Sequence, residues 1–137
     1  MITQYVDLDK HHCGILSVLE FNTLPFIPKR IFWVTDVPQG ETRGNHAHRK
    51  TEQLLVCLQG SIMVQTDMGI GVDKQILNVG QSVYVGRMVW DSQVFLTGKD
   101  ILLVLASTAY DKDDYIEDRK VFMRVRNQRS PAGDVDD

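Results

Sequence analysis

The stretch GETRGNHAHRKTEQLLVCLQGS, residues Gly40 to Ser61, holds two of the chain's four histidines, one residue apart and directly ahead of an apolar run. In an extended strand, side chains two apart share a face and lie about 6.6 Å from each other, from a rise of roughly 3.3 Å per residue. His46 and His48 then point the same way, and Ala47 faces the other side. Spacing alone leaves two settings open: a lumen, or a surface strand whose imidazoles face water or bond a carbonyl of the core.

Outward from this stretch, short β-branched or aromatic runs recur, closed by Gly, Asp, Asn or Pro. These are ITQYVDL, GILSVLEF, RIFWVTDV, EQLLVCLQG, SIMVQTD, GVDKQILN, QSVYVG, SQVFLTG and DILLVLAS. With almost no helical periodicity between them, they predict an all-β fold, an antiparallel barrel or sandwich. The segment TDMGIG reads as a hairpin turn between two strands. Near the end, DKDDYIEDRKVFMRVR predicts a short helix with Asp113 or Asp114 as N-cap. Residues 1–126 are expected to form one domain and 127–137, polar with a Pro and a Gly, a flexible tail.

Composition narrows the function. At 137 residues and 43% hydrophobic, the chain can bury one sizeable core. A net charge of −3 gives no basic field to hold nucleic acid. No apolar stretch approaches the roughly 20 residues of a membrane span, and the N-terminus MITQYVDLDKHHCG lacks an apolar signal core, so a cytoplasmic protein without a membrane partner is expected. Cys13 and Cys57 form no metal knuckle or disulfide framework, and Cys57, inside LLVCLQ, reads as a small core residue. His11 and His12 match no motif and read as solvated.

The pattern Gly40, five residues, His46-Ala47-His48, three residues, Glu52 and then Gly60 resembles the first signature motif of the cupin superfamily. In metal-binding cupins the two histidines and the glutamate are ligands, and a third histidine comes from a second motif. Aligned on Gly80, that second motif places Gly86 at its usual Pro, Met88 at its usual Gly and Asp91 at the third histidine. A carboxylate there would leave a harder set of two histidines and two carboxylates.

A closer resemblance runs from about Leu16 to Val125. The strings RIFWVTDVPQGETRGNHAHRKTEQLLVCLQGSI, VYVGRMVW and LVLASTAYDKDDYIEDRKVF are similar to those of the dTDP-sugar 3,4-ketoisomerases, small cupins acting on dTDP-4-keto-6-deoxy-glucose. The resemblance implies a cupin-type barrel or jelly roll, no metal or other cofactor, His46 and His48 as the catalytic histidines, and a homodimer with N-terminal strands exchanged. It also implies a role in making deoxy-amino sugars for surface polysaccharide.

The chemistry fits these residue types. Moving a ketone from C4 to C3 removes the C3 proton, passes through an enediol and returns a proton at C4. Two imidazoles of ordinary pKa about 6.5 can be held one neutral and one charged near neutral pH. The spacing leaves the roles open, with His48 favoured as base and His46 as donor. Arg43 is placed to hold a phosphate or enediolate oxygen, Arg87 and Trp90 to flank one ligand, and Trp33 and Tyr84 to stack on a ring, with Phe32 read chiefly as core. Glu52 is a candidate to orient a histidine. Thr35, where many relatives carry tyrosine, and Asp91, where a basic or imidazole side chain often follows the tryptophan, are departures that could alter the sugar accepted. A metal-dependent cupin enzyme and a non-catalytic nucleotide-sugar binding module are the alternative readings.

Overall fold

The computed structural model of the chain describes residues 2, 3, 5–10 and 13–128. His11, His12 and residues 129–137 of the expected tail lie outside them. The strands in chain order are β1 (Ile2–Thr3), β2 (Val6–Asp9), β3 (Leu16–Leu19), β4 (Arg30–Val34), β5 (Thr42–His48), β6 (Gln53–Gln59), β7 (Ile62–Asp67), β8 (Val72–Leu77), β9 (Ser82–Val85), β10 (Trp90–Phe95), β11 (Ile101–Ala106) and β12 (Tyr115–Ile116), followed by helix α1 (Arg119–Asn127). They form two five-stranded sheets, ordered β1-β9-β6-β11-β4 and β12-β5-β10-β7-β8, with β2 and β3 as a separate pair. Within both sheets neighbouring strands run antiparallel. This is the expected all-β, cupin-like sandwich with one short C-terminal helix.

Strand alternation explains how the sheets meet. Leu55 and Cys57 of β6, Val83 and Val85 of β9, Val104 of β11, Val64 of β7 and Phe95 of β10 all face inward into one core. The run LLVC in β6 shows no polar alternation because both of its faces are covered. On its outer face Leu54 and Val56 pack with Leu105 under Val6 and Phe26. The outer face of the second sheet is closed by α1, whose fully buried Phe122 packs with Ala47, Met88 and Ile116. Ala47 thus sits under the helix, and its two neighbouring histidines face the inter-sheet side.

The expected hairpin at TDMGIG joins β7 to β8. Gly69 and Gly71 take φ of 97° and 138°, and the Asp67 carboxylate accepts the Gly69 amide at 2.6 Å. Cys57 is buried, as read, and burial pushes its thiol up to about 11.

The late segment differs from expectation. Residues 112–114 form a 3-10 turn, Tyr115–Ile116 pair with His48 and Ala47 as β12, and the helix starts only at Arg119. Its N-cap is Asp118, which accepts the Lys120 amide at 2.8 Å, rather than Asp113 or Asp114. The reason is that Asp114 is spent elsewhere, on the histidine strand. Strand β5 also carries a bulge: Asp91 stands opposite His46 but Ser92 opposite Gly44, so Asn45 is the extra residue. Gly44 and Asn45 take φ of 92° and 61° there, and a Cβ on Gly44 would stand 3.1 Å from the Asp91 carbonyl oxygen. The bulge changes the phase of the strand, so that Arg43 pairs with the inward-facing Gln93.

Candidate active site

His46 and His48 meet edge to face, ring centroids 5.0 Å apart, and both pack on Tyr115 of β12 at 5.1 and 4.3 Å. Tyr115 shares their face because β12 pairs in register with His48. One residue before it, Asp114 points its carboxylate at the same strand. Its Oδ2 lies 2.9 Å from His48 Nδ1 and accepts the Thr51 hydroxyl; its Oδ1 accepts the Lys50 amide at 2.6 Å. These donors hold Asp114 below the usual carboxylate range against the opposing effect of burial.

With Asp114 ionised, Nδ1 of His48 is the protonated nitrogen and donates to it, which leaves Nε2 with the lone pair. His48 is 2% exposed, and its Nε2 has no hydrogen-bond partner. Burial pushes the His48 pKa down; Asp114 opposes this, and the nearby charge of Arg30 adds to it. His46 is lowered to about 4, by burial first and by His48 second, against a hydrogen bond to the Gly44 backbone. Both rings are therefore neutral near pH 7, whereas the sequence allowed for one neutral and one charged.

Arg30 begins β4 on the same inner side as Phe32. Its guanidinium lies 5.3 Å from the Phe32 ring centroid and 5.7 Å from that of Tyr110, and its buried Nε has no hydrogen-bond partner. On the floor beside His46, β10 sends Asp91 inward, 1% exposed. Asp91 accepts the Gln93 side-chain amide at 2.6 Å through Oδ1, and its Oδ2 is unpartnered.

Of the residues singled out in the sequence, the fold thus gathers His46, His48 and Asp91, with Arg43 exposed at the far end of the same strand face. The rest lie elsewhere. Trp33 is 65% exposed on the outer face of β4, in antiphase to Arg30 and Phe32. Thr35 is exposed beyond the end of that strand, its hydroxyl donating to Asp36 at 2.8 Å. Trp90 faces outward and packs on Phe122 of α1, with Arg119 over its ring. Arg87 lines a different cleft from Trp90, so the two do not flank one ligand. Arg87, Tyr84 and Glu52 line a cleft of about 900 Å³ whose walls include neither histidine. Glu52 accepts the Tyr84 hydroxyl at 2.6 Å, and the task of holding a histidine falls to Asp114 instead. Phe32 packs against the core, as read.

Sequence reasoning missed Arg30, Asp114 and Tyr115. Arg30 opens the RIFWV run in phase with Phe32, so its inward direction was legible by alternation. Asp114 carried no local signal beyond lying in the string YDKDDYI. Among the described residues no group of three or more His, Cys, Asp or Glu is arranged to hold a metal ion.

A two-sheet antiparallel sandwich with a histidine pair on its inner face defines the class, a cupin-like protein. Comparison with known proteins narrows it. Residues 2–127 match the family model described as FdtA: WxcM-like, C-terminal. The chain is 38% identical, over 104 residues and 75% of each chain, to the TDP-4-oxo-6-deoxy-alpha-D-glucose-3,4-oxoisomerase of Aneurinibacillus thermoaerophilus. Its fold matches the TDP-fucose-3,4-ketoisomerase WlaRA of Campylobacter jejuni with a TM-score of 0.83 at 32% identity, over 93% of this chain and 96% of that one. It matches a mutant of the 3,4-ketoisomerase QdtA of Thermoanaerobacterium thermosaccharolyticum, in complex with TDP-4-keto-6-deoxyglucose, with a TM-score of 0.85 at 30% identity over 96% of both. The chain belongs to the FdtA family of sugar 3,4-ketoisomerases, and it is an isomerase.

Proposed function

We propose that this protein converts dTDP-4-keto-6-deoxy-glucose to a dTDP-3-keto-6-deoxy-hexose through an enediol or enediolate. The observation that carries the reading is the buried, unpartnered Nε2 of His48, made a lone-pair nitrogen by the bond from Nδ1 to Asp114. His48 takes the C3 proton there, and Asp114 stabilises the imidazolium that forms. His46, with its ring 5.0 Å away, is placed to serve C4. Arg30 holds the developing negative charge on the sugar oxygens, its Nε having no other partner. Arg43, exposed on the inner-face register of β5, reaches the diphosphate.

In this reading the 3-keto product is made in the cytoplasm for the deoxy-amino sugars of a surface polysaccharide. The protein works as a homodimer, and β1, paired to the edge of the first sheet at β9, is the strand to be exchanged. Exposed Ile31 and Trp33 on the outer face of β4 supply apolar surface for a partner subunit. Residues 1–126 act as one unit.

The test is proton NMR of dTDP-4-keto-6-deoxy-glucose in deuterated water with the wild-type protein and with His48→Asn. A 3-keto product carrying deuterium at C4, formed by the wild type and not by the variant, is expected. No hydrogen exchange with the wild type would sink the assignment for this substrate.

A further inference from the structure

Isomerisation needs an acid as well as a base, and the two imidazoles are both neutral at neutral pH. The proton delivered to C4 therefore needs a holder. Strand β10 alternates Asp91, Gln93 and Phe95 inward and Trp90 outward onto α1. Its pairing with β7 is continuous from Trp90 to Phe95, so the phase is secure. Its pairing with β5 sets Asp91 directly opposite His46. Side chains so opposed have Cβ atoms about 4.5–5.5 Å apart on one face.

The geometry points to Asp91 as a positioning residue for His46: it stores, in a carboxyl sealed against the floor of the site, the proton that makes His46 an acid toward C4. The inference rests on the ketoisomerase reading given above. Asp91 is 1% exposed, has one oxygen engaged by Gln93 and leaves the other unpartnered. A bare carboxylate in that place would be costly, so the group keeps its proton. Burial raises Asp91 to about 7 against the bond from Gln93. The charged and titratable neighbours are consistent with this. From β5 come His46, His48 and the exposed Arg43; β12 gives Tyr115, and Asp114 is committed to His48. From β4 Arg30 faces His48. Inward-facing β7 offers Val64 and Thr66 opposite Gln93 and Asp91, with Asp73 of β8 beyond Thr66.

The proton count closes. His48 Nε2 takes the C3 proton; the C3–H pair becomes the C3–C4 double bond, and the carbonyl pair moves onto O4. Asp91 passes its proton to His46, giving an imidazolium beside a carboxylate. That imidazolium protonates C4 at the expense of the C3–C4 double bond, while the O3 hydroxyl proton moves to O4 and O3 becomes the ketone. His48 is left cationic and Asp91 anionic; His48 gives its proton to solvent and Asp91 takes one from solvent, which resets both and brings solvent deuterium to C4.

The experiment compares wild type with Asp91→Asn in deuterated water, reading loss of the C3 hydrogen and formation of the 3-keto product separately. The expected result is C3 exchange within about threefold of wild type while product formation falls by about 100-fold, the usual worth of a positioned acid. Equal losses in both, or no loss in either, overturn the inference while leaving the ketoisomerase reading in place. A wild type that neither exchanges nor forms product overturns both. Independently of any variant, the carboxyl carbon-13 resonance of Asp91 in the wild type should titrate near neutral pH, and titration in the ordinary carboxylate range would also overturn the inference.

Discussion

Asp114 and Asp91 flank the same histidine pair, both nearly inaccessible, and their carboxyl pKa values are driven in opposite directions. Asp114 gathers three donors from His48, Thr51 and the Lys50 amide and is held ionised. Asp91 has one neutral donor, Gln93, and burial prevails, raising it to about 7. Burial works against the charge of both carboxyls, and the number and kind of donors decides which of them keeps it. One lumen thereby holds an anion behind one imidazole and, beside the other, a carboxyl that can still carry its proton near neutral pH, a division of labour that side-chain identity alone does not contain.

The sharpest way to break the contrast is to empty the ionised side. Removing the base with His48→Asn should lower turnover by about 10³-fold or more, and Asp114→Ala, which frees the wrong tautomer of His48, by about 10²-fold or more. A steady-state assay checks both; an Asp114→Ala enzyme of wild-type activity would end the paired reading of the two residues. Next in size is the pH response on the neutral side. Asp91 has a folded pKa of about 7, above its ordinary 3.8, so the folded protein binds the extra proton and loses stability as pH rises from about 4 to 7. Asp91→Asn removes that penalty. Its melting temperature should exceed that of the wild type at pH 8 and approach it below pH 4, as thermal scans across that range would reveal.

A smaller effect should come from Thr51→Val, which deletes one of the donors to Asp114. Loss of such a bond costs about 1–3 kcal/mol when a charged partner remains buried, and chemical denaturation would measure it. Turnover should fall only a few-fold, because the bond to His48 persists. Smallest of all, Trp33→Ala should leave the exchange of the C3 hydrogen unchanged, since Trp33 stands outside the sandwich. A loss of exchange there would mean that the outer face of β4, or the subunit contact proposed for it, reaches the chemistry.

The legible part of this molecule was whatever repeats along the strand. Alternation gave the sheets their faces, the spacing of His46 and His48 put both rings on one side, and Gly69 and Gly71 marked the β7–β8 turn. What crosses between strands was not legible in that way. Asp114 lies 66 residues from His48, and its own neighbourhood, rich in Asp, reads equally well as a helix start. Neighbours in the chain are a poor guide to shared sites here: Arg87 and Trp90 read as flanking one ligand but line different clefts, and of the adjacent pair Trp90 and Asp91, Trp90 follows the helix while Asp91 follows the histidines. The bulge at Gly44 and Asn45 hid the phase of Arg43, because it depends on a close approach to the Asp91 backbone that only the folded pairing creates.

The bond between His48 and Asp114 also dictates when the site can exist. During synthesis the histidine strand leaves the ribosome long before its anchoring carboxylate, and strand β12, which holds Tyr115 against both rings, emerges later still. At about 5–20 residues per second, the 66 residues between them take several seconds to translate. Throughout that interval the nascent chain carries both imidazoles without the group that fixes their tautomer. Competence therefore comes with the closing of the last strand, and a chain truncated before Asp114 would keep its histidines and lack the means to use them.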